Sequence, residues 1–295
     1  MSYNYEELSF GEAKELLRKW RENNERRSDD VVELWTSVIS DNIAKLGNEK
    51  HLVLEQVMYA ALDCHSYHIA MMCTCMLSYE FPNSLRVLRY DAAFNEAKES
   101  YGEALETLDK IIKADETNAA ARKQRVAVLK SQGLTNEAVK ELVDYLKKFM
   151  SDVEAWQELC GLYLQLGEYT RAAFCAEELI LHQPHNHLMH QRLADIRYTM
   201  GGVENMELAK SYYCQALKLN PDNMRALLGL FLTTNNLLLH YKSAGNAGKR
   251  KEVWKLCQWA QSAAARRQRH ARAAPAPSQP SPDLTQAMLA LAIHD

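Results

Sequence analysis

The sequence lacks an apolar run long enough to cross a membrane. A transmembrane helix needs roughly 18 consecutive apolar residues, and the nearest stretch, Leu227–Leu239, is interrupted by four polar side chains at positions 233–236. The first residues include acids where a secretory signal would carry basic residues followed by an apolar segment. We therefore expect a soluble, non-secreted protein.

A surplus of charge of one sign is also missing. The 35 basic and 38 acidic residues leave a formal net charge of only −3. Proteins that bind nucleic acid usually show a basic excess, so we expect no nucleic-acid partner.

Cysteines are few, and their spacing excludes a zinc ribbon. There are 7 in 295 residues, an odd number without paired metal-ligand spacing. We interpret them as reduced thiols, most of them acting as small buried apolar residues. Cys73 and Cys75 are predicted to flank the buried stripe of one helix and to serve core packing.

Catalytic signatures are absent as well. The chain has no Gly-rich phosphate loop, no nucleophile elbow, no paired-His metalloprotease helix and no dinucleotide fingerprint. Its carboxylates are scattered over predicted helix surfaces, and nothing marks a desolvated pair. We expect no enzymatic activity, no catalytic residue and no cofactor.

The chain does contain an internal repeat of 34 residues. Small residues recur on this period at Ala70, Ala104, Ala138 and Ala172. Turn or cap residues recur on it at Ser84, Asn118, Asp152 and Asn186. Their joint recurrence predicts one supersecondary unit per period.

The unit Val153–Asn186 shows the pattern most clearly. Trp156 begins an apolar face at helical spacing, Gly167 breaks the chain, Ala172 lies on a second apolar face and Pro184 ends it. This resembles the tetratricopeptide repeat, in which large residues of one helix fill the space beside small residues of the next. We predict an all-α fold, a right-handed tetratricopeptide-repeat solenoid of antiparallel helix pairs.

The period divides the chain into predicted segments. These are an N-terminal capping helix pair at 1–50, five repeats at 51–84, 85–118, 119–152, 153–186 and 187–223, a C-terminal capping pair at 224–267, a basic, Pro-rich linker at 268–282, and a short amphipathic helix or tail at 283–295.

The sequence also predicts where the helices of the two flanking pairs begin and end. The predicted helices are Glu6–Asn24, Ser28–Leu46, Met224–Leu239 and Lys249–Arg267, with Ser28 opening a capping sequence. The fifth repeat is three residues longer than the others, and we assign the extra length to an inter-helix turn at Gly201–Asn205.

Candidate binding residues follow from the repeat geometry. The first helix of each unit lines the concave face of such an array. Arg122 and Arg125 occupy positions where Trp156 and Leu159 stand one repeat later. We interpret them as part of a cationic strip for an acidic partner segment; the alternative is a solvated basic helix whose aliphatic stems cover its neighbours. The candidate partner-binding residues are Arg86, Arg89, Arg122, Lys123, Arg125, Gln157 and Gln191.

Four histidines crowd around a boundary between two repeats. His182, His185, His187 and His190 are dense enough to suggest a transition-metal site. No cysteine or acid completes the set nearby, and the alternative is a group of partly exposed turn histidines. The predicted metal content is therefore none.

Several stretches resemble one particular repeat family, the second subunits of the endoplasmic reticulum membrane protein complex. These stretches are Arg18–Asn23, Thr117–Lys123, Asp152–Leu159, Pro184–Leu188, Gly201–Asn205, Gln215–Asn220 and Asn223–Leu227. The resemblance covers about residues 7 to 262 and fades after Arg266.

The resemblance implies a cytosolic scaffold subunit of a membrane insertase, peripheral to the endoplasmic reticulum membrane. Its implied partners are the other subunits of that complex: a soluble cytosolic subunit and cytosolic segments of membrane subunits. Membrane association would then be indirect, through partners, and the function would be support of the insertion of tail-anchored and multipass proteins. The alternative is a generic tetratricopeptide adaptor of another soluble assembly.

Overall fold

The computed structural model describes Tyr5 and residues 8–273. Throughout these residues the regular secondary structure is helical, with no strand. The α-helices are α1 (Phe10–Glu22), α2 (Ser28–Leu34), α3 (Lys50–Asp63), α4 (Tyr67–Glu80), α5 (Leu85–Ala97), α6 (Tyr101–Ala114), α7 (Ala119–Ser131), α8 (Thr135–Lys148), α9 (Val153–Gln165), α10 (Tyr169–His182), α11 (His187–Met200), α12 (Val203–Leu219), α13 (Met224–Ser243) and α14 (Ala247–Ala273). The predicted all-α tetratricopeptide-repeat class is confirmed.

Helix pairs are the building unit. The pairs α3–α4, α5–α6, α9–α10, α11–α12 and α13–α14 each pack together along their lengths. The small residues of the 34-residue period lie at these crossings, where Ala104 and Ala172 are fully buried. An alanine there allows two helix backbones to approach closely, and larger side chains fill the remaining space.

Polar caps set where the first helices begin. The side-chain oxygens of Asn118, Asp152 and Asn223 accept hydrogen bonds from backbone N–H groups of the first turn, at 3.0, 3.1 and 3.1 Å. Each cap satisfies a donor that has no partner within the helix and contributes about 1 kcal/mol. Ser84 occupies the same position before α5 but makes no such bond.

The N-terminal pair departs from the predicted bounds. Helix α1 is shorter than predicted because Ser9 and Glu12 form a capping box that starts it. The predicted second helix, Ser28–Leu46, is wrong as a single element. Helix α2 ends at Leu34. The chain then forms a π segment, Trp35–Ile39, and a 3₁₀ segment, Ser40–Glu49, within which Gly47 adopts a φ of 57°. Ser28 caps nothing; its hydroxyl donates to Asp63 at 2.6 Å.

The extra length of the fifth repeat is helical, which corrects the predicted turn. Only Gly201 and Gly202 separate α11 from α12, and both have positive φ, 72° and 78°. Helix α12 has 17 residues, whereas α10 has 14. Val203, Glu204 and Asn205 thus form an added first turn of α12, which the two glycines make possible.

The C-terminal pair is longer than predicted. Helix α13 extends to Ser243 and α14 to Ala273, so the first residues of the predicted linker, 268–273, are helical. The rest of that linker and the predicted tail at 283–295 lie outside the described residues.

The chain forms two compact units, Met1–Glu141 and Leu142–Asp295, which divide within α8. The first unit has a core cluster that includes Leu17, Trp35 and Met58, and the second has one that includes Tyr213 and Phe231. Among the described residues, no helix combines the length and the apolar character that a membrane crossing requires.

Candidate partner-binding surfaces

The arginines of α5 differ in their surroundings. Arg86 forms an ion pair with Glu55 of α3, and its Nε donates to the hydroxyl of Tyr90 at 2.7 Å. Burial, together with the carboxylate of Glu55, raises the pKa of Tyr90 to about 12. Arg89 is half-buried, and its backbone carbonyl lies 3.5 Å from the side-chain amide of Gln124 on α7. Arg86 is therefore already engaged within the first unit.

The two arginines of the predicted cationic strip on α7 pair with acids of neighbouring helices. The side chain of Arg122 is only 10% exposed and lies 3.7 Å from Glu141 of α8. Arg125 reaches the other oxygen of Glu141 at 3.2 Å and Asp109 of α6 at 3.4 Å. Arg122, which is buried, and Arg125, whose side chain is 32% exposed, both pair with acids of neighbouring helices, so neither matches the expectation of an open cationic surface or of a solvated helix.

Gln191 lies at the centre of a buried polar network on α11. Its amide oxygen accepts from Asn223 at 2.8 Å, and its nitrogen lies 3.4 Å from a carboxylate oxygen of Asp195. Asp195 also accepts from the hydroxyl of Tyr213 at 2.6 Å and from Arg225 at 3.0 Å. The network joins the starts of α11 and α13 and holds their side chains in fixed positions.

A groove of about 490 Å³ opens beside this network. It crosses the first helices of successive pairs and is lined by Leu164, Leu188, Gln191, Arg192, Asp195, Ile196, Thr199 and Arg225. The side chain of Arg225 is 75% exposed, and only its Nε is bonded to Asp195. The groove thus offers an exposed guanidinium beside apolar and amide groups, a combination suited to carboxylates and backbone amides.

Gln157 and Lys123 remain separate from this groove. Gln157 is half-buried on α9, and Lys123 lies on α7 in the first unit. Sequence reasoning missed Asp195 and Arg225, which carry most of the charge of the groove. Asn223 is the residue from which this site could have been predicted. It ends the fifth repeat at the capping position, and it also donates to Gln191.

Two of the four clustered histidines, His187 and His190, make hydrogen-bond contacts. His190 contacts the carbonyl oxygen of Pro184 at 2.8 Å, and the ring of His187 contacts the side-chain amides of Asn220 and Asn223 at 3.1 and 3.0 Å. In the part of the chain that the structure describes, no group of three or more His, Cys, Asp or Glu side chains is placed to hold a metal ion.

The cysteines are free thiols of several kinds. Cys73, Cys160, Cys175 and Cys257 are buried, as predicted for most of the seven. Cys75 is exposed, so its predicted place beside the buried stripe is wrong, because it faces away from the core of α4. Burial raises the pKa of Cys73 to about 12, which keeps that thiol protonated at neutral pH.

Comparison with known proteins adds family evidence to this geometry. Residues 51–218 match the family described as the EMC2 TPR-like repeat domain. The chain is 43% identical over 256 residues to ER membrane protein complex subunit 2-A of Xenopus laevis, covering 87% of this chain and 86% of the relative. It is 30% identical over 263 residues to ER membrane protein complex subunit 2 of Dictyostelium discoideum, covering 85% of this chain and 80% of the relative.

Among solved structures, the C-terminal part of a tetratricopeptide-repeat protein from Cytophaga hutchinsonii aligns with a TM-score of 0.56. That alignment covers 83% of this chain and 93% of the other at 13% identity. At this identity the likeness shows the fold alone.

Proposed function

Since this chain belongs to the ER membrane protein complex subunit 2 family, we propose that it is a non-catalytic scaffold subunit of that complex. In this role it holds a soluble subunit and the cytosolic segments of membrane subunits together, and so supports insertion of tail-anchored and multipass proteins. It acts at the cytoplasmic face of the endoplasmic reticulum membrane and reaches the membrane through its partners. The names of its relatives support the assembly with other subunits.

The observation that carries the scaffold role is the groove on α9, α11 and α13. Its polar walls are fixed by the network around Gln191, and the side chain of Arg225, which is 75% exposed, donates through its Nε to Asp195. A preformed surface of this kind binds a partner without first ordering its own side chains. We assign the groove to a partner segment that carries a carboxylate.

The predicted binding residues fall into two groups, candidates for direct contact with a partner and residues that hold the surface in place. Gln191 holds the side chains that line the groove in place. Arg89 and Gln157 stay candidates for direct contact, since both lie on first helices and are partly exposed. Lys123 stays a candidate on α7. Arg86, Arg122 and Arg125 hold neighbouring helices through Glu55 and Glu141, so we assign them to the support of the partner-binding surface.

A pull-down of the tagged full-length chain from cells in mild detergent tests the function. We expect mass spectrometry to recover a defined set of endoplasmic reticulum membrane proteins in near-equal amounts. Recovery of soluble proteins alone would contradict the insertase scaffold and favour the generic adaptor.

The groove is tested in the same experiment by Arg225→Glu, with Lys251→Glu as the matched control. Both replace an exposed cation with an anion, but Lys251 lies on α14 away from the groove. We expect Arg225→Glu to lower the recovery of at least one partner about tenfold, the equivalent of one lost charge-assisted contact. Equal recovery with the two variants would remove the groove from the proposal.

A further inference from the structure

A second concave surface lies in the second unit, between α8, α9 and α10. Its volume is about 510 Å³, and its apolar lining includes Val143, Leu146, Met150, Trp156, Leu159 and Phe174. Phe174 is 56% exposed and Met150 is 67% exposed, although both are large apolar residues. Because they are so exposed, packing in the hydrophobic core does not explain why these two positions hold large apolar side chains.

Phe174 is the aromatic residue among the equivalent positions of the five repeats. One, two and three periods before it the chain has Lys140, Glu106 and Met72, and the equivalent position of the longer fifth repeat is Ser211. Three of these four residues are polar, which is typical of a solvent-facing helix position. An aromatic residue at the same position adds little to the fold and indicates a contact with something outside it.

The pocket is already shaped for a ligand. The indole N–H of Trp156 donates to the carbonyl oxygen of Met150 at 2.8 Å, which fixes the orientation of the ring. Phe174 meets the same ring edge-on, with centroids 6.2 Å apart. Aromatic side chains held in this way are frequent energetic centres of protein interfaces, because little motion is lost when a partner binds.

Cations stand on two walls of the pocket. Lys147 comes from α8 and Arg171 from α10, with side chains 68% and 64% exposed. Lys147 pairs with Asp144 at 2.7 Å and Arg171 with Glu168 at 3.9 Å, in each case an acid three residues earlier on the chain, and the guanidinium of Arg171 also lies 5.8 Å from the ring centroid of Tyr163. Such exposed pairs contribute only a few tenths of a kcal/mol, so a partner's carboxylate can displace them. No carboxylate is among the described side chains that line the pocket.

We propose that this pocket binds an amphipathic helix of a partner protein, with one large apolar side chain inserted against Trp156 and Phe174 and acidic side chains beside Lys147 and Arg171. This inference rests on the proposed scaffold function and adds a second partner site outside the groove of Arg225. The pocket fits helix-in-groove recognition, in which apolar anchors one turn apart enter a hydrophobic cleft.

Photo-crosslinking in cells tests the inference. A benzophenone amino acid replaces Phe174 in the tagged full-length chain, and in a control chain it replaces Leu181. Leu181 is two turns further along the same helix and 75% exposed, but does not line the pocket. We expect position 174 to crosslink to one partner peptide that has helical apolar spacing and acidic residues, and position 181 to give no such product.

A synthetic peptide with the crosslinked sequence then measures affinity for the purified chain. We expect Phe174→Ala to weaken binding about thirtyfold, the effect of losing one interface hot spot. Lys147→Glu with Arg171→Glu should weaken it as well, and added salt should weaken wild-type binding. Unchanged binding by these variants overturns the proposal.

The crosslinking result separates this inference from the scaffold function. If the endoplasmic reticulum proteins are recovered but position 174 crosslinks to nothing, to a second copy of this chain, or to a segment without acidic residues, the pocket proposal is wrong and the scaffold stands. If no endoplasmic reticulum protein is recovered, the proposed function fails, and the pocket proposal fails with it.

Discussion

Glu141 is the residue on which the arginines of α7 depend. Its side chain is 14% exposed and its two oxygens face Arg122 and Arg125. A charge that is taken out of water is stable only beside an opposite charge with suitable hydrogen bonds. The carboxylate therefore allows two arginines to occupy positions that hold Trp156 and Leu159 one repeat later.

Replacing Glu141 with glutamine should destabilise the chain. The amide keeps the shape but removes the negative charge, which leaves Arg122 buried without a counterion. We expect the free energy of unfolding to fall by about 1–3 kcal/mol, measured by urea unfolding at pH 7. The control is Glu137→Gln, one turn earlier on α8 and exposed, which should change it by less than about 0.5 kcal/mol. Equal stability of both variants would show that the buried ion pair is not needed.

At the scale of helices, the sequence predicts the structural features that recur from repeat to repeat. The caps at Asn118 and Asp152 and the buried Ala104 and Ala172 were predictable, because capping and close packing act locally and recur every 34 residues. The break after Leu34 was not predictable, since the apolar spacing continues through the π segment and only tertiary packing shows the change of helix type.

Sites formed across helices were harder to predict for the same reason. The sequence predicts a surface cation at Arg122 because Glu141 is 19 positions away along the chain, and nothing in the local pattern brings the two together. Asp195 and Arg225 were missed because their importance comes from the packing of α11 against α13. The sequence shows which polar residues lie on the first helices, but it does not show which of them pair with each other or with acids on other helices.

Gly229 shows how strictly one helix crossing limits side-chain volume. A Cβ atom at this position of α13 would lie 2.5 Å from Cε1 of Tyr213 on α12 and would overlap other atoms of the same ring. Tyr213 is buried and bonded to Asp195, so it has little freedom to move. The crossing of α12 and α13 therefore requires glycine here.

We expect Gly229→Ala to lower the free energy of unfolding by about 1–3 kcal/mol through overpacking. The matched control is Gly161→Ala, since Gly161 is also inside a helix but its added Cβ would lie 3.7 Å from Arg192, an ordinary contact. That control should gain up to about 1 kcal/mol from helix propensity. Thermal and urea unfolding compare the two; a stabilised Gly229→Ala variant would show that Tyr213 repacks freely.

Across the whole molecule, the net charge of −3 is too small for self-repulsion to govern stability, so individual carboxylates decide its pH dependence. They act in opposite directions. The hydrogen bond from Arg26 lowers the pKa of Asp63, whereas burial raises the pKa of Asp91. Glu49, whose pKa is strongly lowered by its hydrogen bond with Arg18, joins α1 to the segment before α3 through Lys14, Arg18 and Arg21.

Glu49 should therefore make a measurable part of the stability sensitive to acid. Hydrogen bonding from Arg18, aided by Lys14, lowers its pKa from 4.5 to about 2. A lowered pKa means that the stabilisation is complete above the unfolded value and is lost as the pH falls through the folded one. We expect Glu49→Gln to cost about 1–2 kcal/mol at pH 7, after allowance for solvent screening. The cost should shrink in urea unfolding between about pH 4.5 and pH 3, whereas Glu15→Gln, at an exposed pair with Arg18, should cost little at any pH. A cost that stays constant down to pH 3 would mean that Glu49 acts through shape and not through its charge.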